Sequence, residues 1–399
     1  MIDSSIPAIK IKPRFGKRAK GGHPWIFSNE VQHPEPQLSP GTLVSVIDDG
    51  GNFLGYATYN PHGLISLRLL SREPEIVPGS VEWFQGKIQT ALNLRRKLFP
   101  DRRSYRLIYA DSDGLPGVVV DRYEDYLAAQ ILTAGMERLL QPLVEALKAT
   151  LKPNGIVLRN TGEKRKLEAL PLYTKVIYGE VPDRIAIEEN GVRLWVDSKE
   201  GQKTGHFFDQ AENRLALSAY ANGAEALDLF CHAGAWALKL LAAGAKHAVA
   251  VDSAAPAIAL AGENARLNGF ENRLECVEAD AFAWLADARR EKRRFDLVVV
   301  DPPAFAKSAP QAKKALRGYE DVNRQAIHLL RDGGILCTCS CSSYIGEDQF
   351  LNVLSHASAR ERRNVRILEI RGQSKDHPIL LAMPESRYLK CVIGVVMEY

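Results

Sequence analysis

The sequence predicts an α/β protein whose C-terminal part is a doubly wound parallel sheet, preceded by a small β-rich module and a central α+β segment. Three observations carry this. From about residue 210, apolar runs (ALDLF, AVAVD, LECVEAD, FDLVVVD, GGILCTCSC) alternate with helical stretches, the pattern of strands buried on both faces beneath crossover helices. Residues 1–75 instead carry short alternating runs broken by turn residues. Finally, 399 residues exceed one ordinary core, since domains run to about 100–200 residues. We therefore expect three domains, over 1–75, 76–190 and 191–399.

In the first of these, GTLVSVID, NFLGYATYN and LISLRLLS read as strands, with Asp49-Gly50-Gly51 turning between the first two. SREPEIVPGS reads as the linker out of a barrel-like module. Next, VEWFQGKIQTALNLRRKLF (81–99) has helical apolar spacing and a basic C-terminal end that suits the helix dipole. GVVVDRY and YLAAQIL follow as strands, MERLLQPLVEALKATL as a helix and GIVLRN as a strand. In AIEENGVRLWVD, Asn190-Gly191 between extended runs signals a tight hairpin.

A hydrophobic content of 46% with 25% charged residues is that of a globular chain. No apolar run approaches the roughly 20 residues of a membrane span, and no secretory signal follows the basic N-terminus. No membrane partner and a cytoplasmic location are expected. The six cysteines include no CxxC pair and no His at zinc spacing, so reduced thiols and no metal are expected. The net charge is only +4, but Lys10, Lys12, Arg14, Lys17, Arg18 and Lys20 form a basic arm. Arg95, Arg96, Lys97, Arg102, Arg103 and Arg106 form a second cluster. Such patches suit phosphate backbones, and a solvated face is the competing reading.

Ligands of doubly wound sheets sit beyond the carboxyl ends of the strands, and four acids fall there. Asp228 lies in the first strand, Asp252 ends the second, Asp280 follows the third and Asp301 ends the fourth, with Phe230 and Ala281 in the same strand-end loops. Any one of these acids by itself reads equally as a helix cap. Gly234 lets backbone approach a ligand in the first turn. Asp252 would accept from ribose hydroxyls and Asp280 from an adenine amine. Asp228 and Asp301 would balance the cationic amino-acid end of S-adenosylmethionine (SAM). A dinucleotide site would need G-x-G-x-x-G for its pyrophosphate, and that turn offers Gly234 alone.

DLFCHAGAWAL, VDSAAPAIALAGENARLNG, EAD, VVVDPPAFAKS and CSCSS resemble, in order and spacing, the motifs of bacterial ribosomal RNA cytosine-C5 methyltransferases with an N-terminal PUA domain. The resemblance covers the whole chain. It implies SAM as cofactor, large-subunit rRNA as partner, a PUA module around HPWIFSNEV (23–31) and a central β-β-α-β-β domain, and it leaves a homodimer open. It further implies that the decapeptide 201–210, GQKTGHFFDQ, enters the cofactor pocket through Thr204, Phe207 and Asp209.

Cytosine C5 is too weak a nucleophile to take a methyl group directly, and a thiolate added at C6 makes it enolate-like. By resemblance to the family's S-C-S element the nucleophile is Cys341. Cys339, in a Thr-Cys pair, is the second choice, since alternation puts Cys337, Cys339 and Cys341 on one face of any extended segment. Asp301 would bind the cofactor or accept from the cytosine amine, Phe305 would stack on the base, and Lys307 would meet a phosphate or carbonyl. On the N-terminal module, Arg14, Lys17, His23 and Trp25 are the expected RNA contacts. Two other readings stay open. D-P-P loops also occur in enzymes that methylate guanine nitrogens with no covalent step. A ribosome-assembly factor would keep the fold without catalysis.

Overall fold

In the computed structural model, which describes residues 5–34, 37–199, 204–306 and 308–399, the alternating runs of the N-terminal module form a five-stranded sheet. Its strands are β1 (Ala8–Lys10), β2 (Trp25–Phe27), β3 (Thr42–Ile47), β4 (Phe53–Tyr59) and β5 (Ile65–Ser71), in the order β1-β3-β4-β5-β2. β3, β4 and β5 pair antiparallel, as short turns dictate, and β1 joins β3 in parallel. The inward residues Ile9, Ile26, Val44, Val46 and Leu67 make its core.

The central segment builds a second sheet from β6 (Tyr105–Tyr109), β7 (Val118–Tyr123), β8 (Tyr126–Ile131), β9 (Gly155–Asn160) and β10 (Tyr173–Gly179), ordered β10-β9-β8-β7-β6. Helix α1 (Val81–Leu98) starts at Ser80, whose hydroxyl accepts the Trp83 N–H at 3.1 Å, and it buries Phe84, Ile88, Ala91 and Leu92 along one face. The single helix expected over 136–151 is two, α2 (Ala134–Arg138) and α3 (Leu140–Leu151). Pro142 has no N–H to continue the ladder, so the chain restarts with the proline in a first turn, where no donor is needed.

The second basic cluster differs from its expectation as a phosphate patch. Arg95 is fully buried, donates to both Asp113 oxygens at 2.5 and 2.7 Å, and reaches the Arg106 and Asp376 carbonyls. Arg106 forks onto Asp121 at 2.6 and 2.8 Å, and Arg103 pairs with Glu124 and Asp125. Arg96, Lys97 and Arg103 are the members of the cluster that stay exposed. Breaking a buried pair strands its partner charge. Arg95→Leu is therefore expected to cost about 3–5 kcal/mol, read as a lower urea midpoint, whereas Arg96→Leu should leave the midpoint unchanged.

These two sheets belong to one compact unit, Met1–Ile185 with Val196–Phe208 and Asp376–Ser386; the other unit comprises Ala186–Trp195, Asp209–Lys375 and Arg387–Tyr399. The chain first passes from one to the other within the hairpin β11 (Arg184–Glu189) and β12 (Val192–Asp197). Its turn residues Asn190 and Gly191 have φ of 51° and 81°, the left-handed pair that a two-residue hairpin requires.

The second unit is a seven-stranded sheet: β13 (Glu225–Leu229), β14 (His247–Asp252), β15 (Leu274–Glu278), β16 (Phe295–Val300), β17 (Leu330–Ser340), β18 (Arg363–Arg371) and β19 (Lys390–Glu398). The order is β15-β14-β13-β16-β17-β19-β18. The first five strands in this order are parallel, and β19 inserts antiparallel between β17 and β18. Leu227, Leu229, Val249, Val251, Val298 and Val300 have no exposed surface, which is why the strand sequences are almost continuously apolar. Strand order reverses at β13, so the loops after β13 and β16 diverge and leave a crevice. Among the described residues no helix is long and apolar enough to cross a membrane.

Candidate active site

At the end of β13 the backbone is strained. Phe230, His232 and Gly234 have φ of 61°, 48° and 77°, and left-handed non-glycine residues cost about 1–3 kcal/mol each where the surroundings impose them. Here the His232 N–H donates to Asp252 Oδ2 at 2.9 Å and the Cys231 N–H to the Val251 carbonyl at 3.1 Å. Gly234 opens helix α4 (Ala235–Ala242), and a Cβ there would lie 3.1 Å from that of Ala261. The missing Gly234 side chain thus lets the turn pack closely against Ala261.

The four strand-end acids divide. Asp228 is fully buried: its Oδ2 accepts the Ala237 N–H at 3.1 Å, while Oδ1 has no partner. Burial pushes its carboxyl up to about 8, and the charges of Asp301 and Asp252 add to the shift. Asp301 accepts from Trp236 Nε1 at 3.0 Å and Gln210 Nε2 at 3.1 Å, and burial again raises it to about 8. Asp252 holds the backbone amides of His232 and Ala254. Asp280 is exposed and caps helix α5 (Ala281–Arg290) by accepting the Ala283 N–H, with Ala281 buried behind it. The buried cation in this neighbourhood, Arg214, is bound through both forks to Glu189 at 2.7 and 2.8 Å. Among the described residues, the cation nearest these carboxyls is thus already committed to Glu189.

The cysteines also divide. β17 ends at Ser340, so strict alternation stops before Cys341. Cys337, Cys339 and Cys391 are fully buried, with their sulfurs all within 4.8 Å of one another. Cys391, isolated in sequence, arrives because β19 pairs with β17 at Cys339. Cys341 is only partly buried, with its thiol 4.0 Å from the Pro302 carbonyl. Ser342 Oγ donates to the Ala306 carbonyl at 3.0 Å, joining the two loops.

Beneath this loop lies a residue that sequence reasoning did not single out. Lys390 opens β19 opposite Ser340 and is 7% exposed. Its ammonium donates to the carbonyls of Ser342, Ile345 and Tyr388 at 2.6, 2.8 and 2.8 Å. Burial lowers its pKa to about 8, and the charge of Cys341 opposes that fall. A lone Lys in a terminal strand carries no sequence signal; strand pairing creates the contact. Trp236 and Gln210 were likewise not singled out as ligands of Asp301.

The remaining expected residues are placed as follows. Phe305 is partly buried against Tyr319, with ring centroids 4.6 Å apart, and faces Phe282 and Phe230 at 6.2 and 6.3 Å. Much of its ring is thus engaged by protein. Lys307 and residues 201–203 lie outside the described residues. Thr204 and Phe207 belong to the first unit, where Thr204 is buried and donates to Asp121. Asp209 belongs to the second, where it accepts the Tyr388 hydroxyl. Arg14 and Lys17 are exposed. His23 departs from its expectation as an RNA contact: it is 3% exposed, and its ring accepts the Trp25 backbone N–H and meets Glu385. It therefore positions Trp25, which is half-buried.

Residues 9–72 match the PUA-like domain family, and residues 172–380 match the S-adenosylmethionine-dependent methyltransferase family. With the strand order and the strand-end acids above, the chain belongs to the S-adenosylmethionine-dependent methyltransferase family, with a PUA-like domain at its N-terminus. It is 34% identical over 392 residues to the ribosomal RNA large subunit methyltransferase I of Alteromonas mediterranea, covering 97% of this chain and 98% of that one. To the protein of the same name from Yersinia pseudotuberculosis it is 37% identical over 373 residues, covering 92% and 94%. The fold matches a methyltransferase structure complexed with SAH, with a TM-score of 0.84, 23% identity and coverage of 98% of this chain and 100% of that one.

The site's own chemistry fits SAM. An orphaned, fully buried carboxyl oxygen on Asp228, beside a second carboxyl with raised pKa, asks for a positively charged ligand. SAM carries an ammonium and a sulfonium.

Proposed function

We propose that this chain methylates C5 of a cytosine in large-subunit ribosomal RNA, with Cys341 as the nucleophile. The observation that carries the reading is the partly exposed Cys341 beside the Asp301-Pro302 wall, above a buried ammonium. SAM supplies an electrophilic methyl group. The Cys341 thiolate would add to C6, the electron pair would shift to C5, and C5 would take the methyl as its bond to sulfur breaks and the neutral thioether S-adenosylhomocysteine leaves. Loss of the C5 proton to a base and expulsion of the thiolate restore the ring. Burial raises the Asp301 carboxyl to about 8, and in its protonated form it would donate to the base and draw electrons from C6. The rRNA substrate rests on the names of the full-length relatives and on the exposed Lys10, Arg14 and Lys17 of the basic arm. The six cysteines form no disulfide, which suits a reducing cytoplasm.

The test is methyl transfer from labelled SAM to large-subunit rRNA stripped of modifications, followed by nucleoside mass spectrometry. The expected product is 5-methylcytidine. Methylguanosine would transfer the reading to a base-nitrogen enzyme, and no product in the presence of SAM binding would favour an assembly factor.

Lys390 enters this reading as a positioning residue: it holds the loop after Cys341 and favours the thiolate. Lys390→Met is expected to lower kcat by about 10–100-fold and move the pH–rate profile to higher pH, with SAM affinity kept. Lys390→Arg should restore part of the rate. A reduced rate with an unmoved profile would mean that Lys390 only braces the loop.

A further inference from the structure

A cavity of about 440 Å³ opens within the first unit, lined by β2, β5, the turn after β6, the 164–168 turn and residues 383–386. Its polar groups are fixed. The Trp25 indole N–H donates to Asp111 Oδ1 at 2.8 Å. The Arg68 guanidinium lies 5.3 Å over the Trp25 ring and pairs with Glu168 at 3.2 Å; Glu168 is itself held by Asn60 at 2.5 Å. The buried Ser112 hydroxyl has no partner. Ile65, Val119 and Leu132 supply apolar wall, while Lys164 and a 74% exposed Leu167 stand at the rim. Burial raises the Asp111 carboxyl against the pull of Arg68.

We infer that this cavity takes a single unstacked base of the RNA substrate, a guanine first of all, away from the methylated nucleotide; the inference rests on the RNA reading above. An unstacked base needs a flat aromatic or guanidinium surface and groups for its edge. Trp25 and Arg68 are that surface. Asp111 is an acceptor for the adjacent N1–H and N2–H of guanine, a donor pair that uracil lacks. Ser112 would satisfy its hydroxyl on the same base, and Lys164 stands where the attached phosphate would leave. His23, by holding the Trp25 backbone, presets the ring.

The experiment uses the full chain and short single-stranded RNAs from the substrate, with 6-thioguanosine for photo-crosslinking and inosine in place of guanosine for affinity. Wild type should crosslink at peptides containing Trp25 or residues 109–112 and bind guanosine-containing RNA about tenfold tighter than the inosine form. Asp111→Asn, its folding checked by circular dichroism, should lose that preference. Crosslinks elsewhere, with equal affinity for the two RNAs, overturn the base site while leaving RNA binding intact. Failure of wild type to bind any rRNA fragment overturns the RNA reading itself.

Discussion

Cys341→Ala is expected to reduce methyl transfer by about 10³-fold or more while leaving SAM affinity within about twofold, since in the proposed mechanism the thiol attacks the base and not the cofactor. Cys339→Ala should retain most of the activity. Its sulfur is fully buried among Cys337 and Cys391, so its loss leaves a small cavity and a stability cost of about 1 kcal/mol. RNA carrying 5-fluorocytidine sharpens the contrast. Fluorine stands where the C5 proton would be and cannot leave as a cation, so wild type should form a complex that survives a denaturing gel, and Cys341→Ala should not. Equal turnover by Cys341→Ala and wild type would sink the covalent mechanism.

Asp228→Asn is expected to move stability and cofactor affinity in opposite directions. The folded pKa of Asp228, about 8, lies above the ordinary carboxyl value of about 4, so the folded chain retains a proton that the unfolded chain releases. This contribution to the stability of the cofactor-free protein is full below about pH 4 and is lost as pH rises towards 8. Asp301 acts with the same sign. Asparagine fills the same space with no charge to desolvate. The variant free of SAM should therefore melt higher at pH 8, by ~2–4 °C for each kcal/mol recovered. SAM affinity should fall by about 10–100-fold, the worth of one charge-assisted hydrogen bond. Thermal melts with and without SAM read both quantities. An identical SAM-induced shift in the two proteins would remove Asp228 from the cofactor site.

Both predictions turn on residues legible in sequence, but to different depths. The strand-end position of Asp228 follows from local pattern, because apolar runs of strand length end in an acid and a turn. That one Asp228 oxygen is orphaned while Asp280 merely caps a helix is not local. It depends on which helix, and which other carboxyls, arrive around each one. The basic residues show the same limit. Arg95 and Arg96 are neighbours in one run, yet the helix turn sends the first into the core onto Asp113 and the second to solvent.

By itself the sequence determined the strand–helix alternation from β13 to β17, the Asn190-Gly191 hairpin and the acids at or beside the strand ends. Those features rest on periodicity and turn stereochemistry, which act over a few residues. Only the tertiary structure decided that β19 enters antiparallel beside β17, bringing Cys391 to Cys339 and Lys390 beneath the Cys341 loop. It also decided that His23 braces Trp25 from within. The physical reason is that a side chain's burial, partners and charge state are set by groups distant in sequence, and strand pairing chooses which of those groups meet.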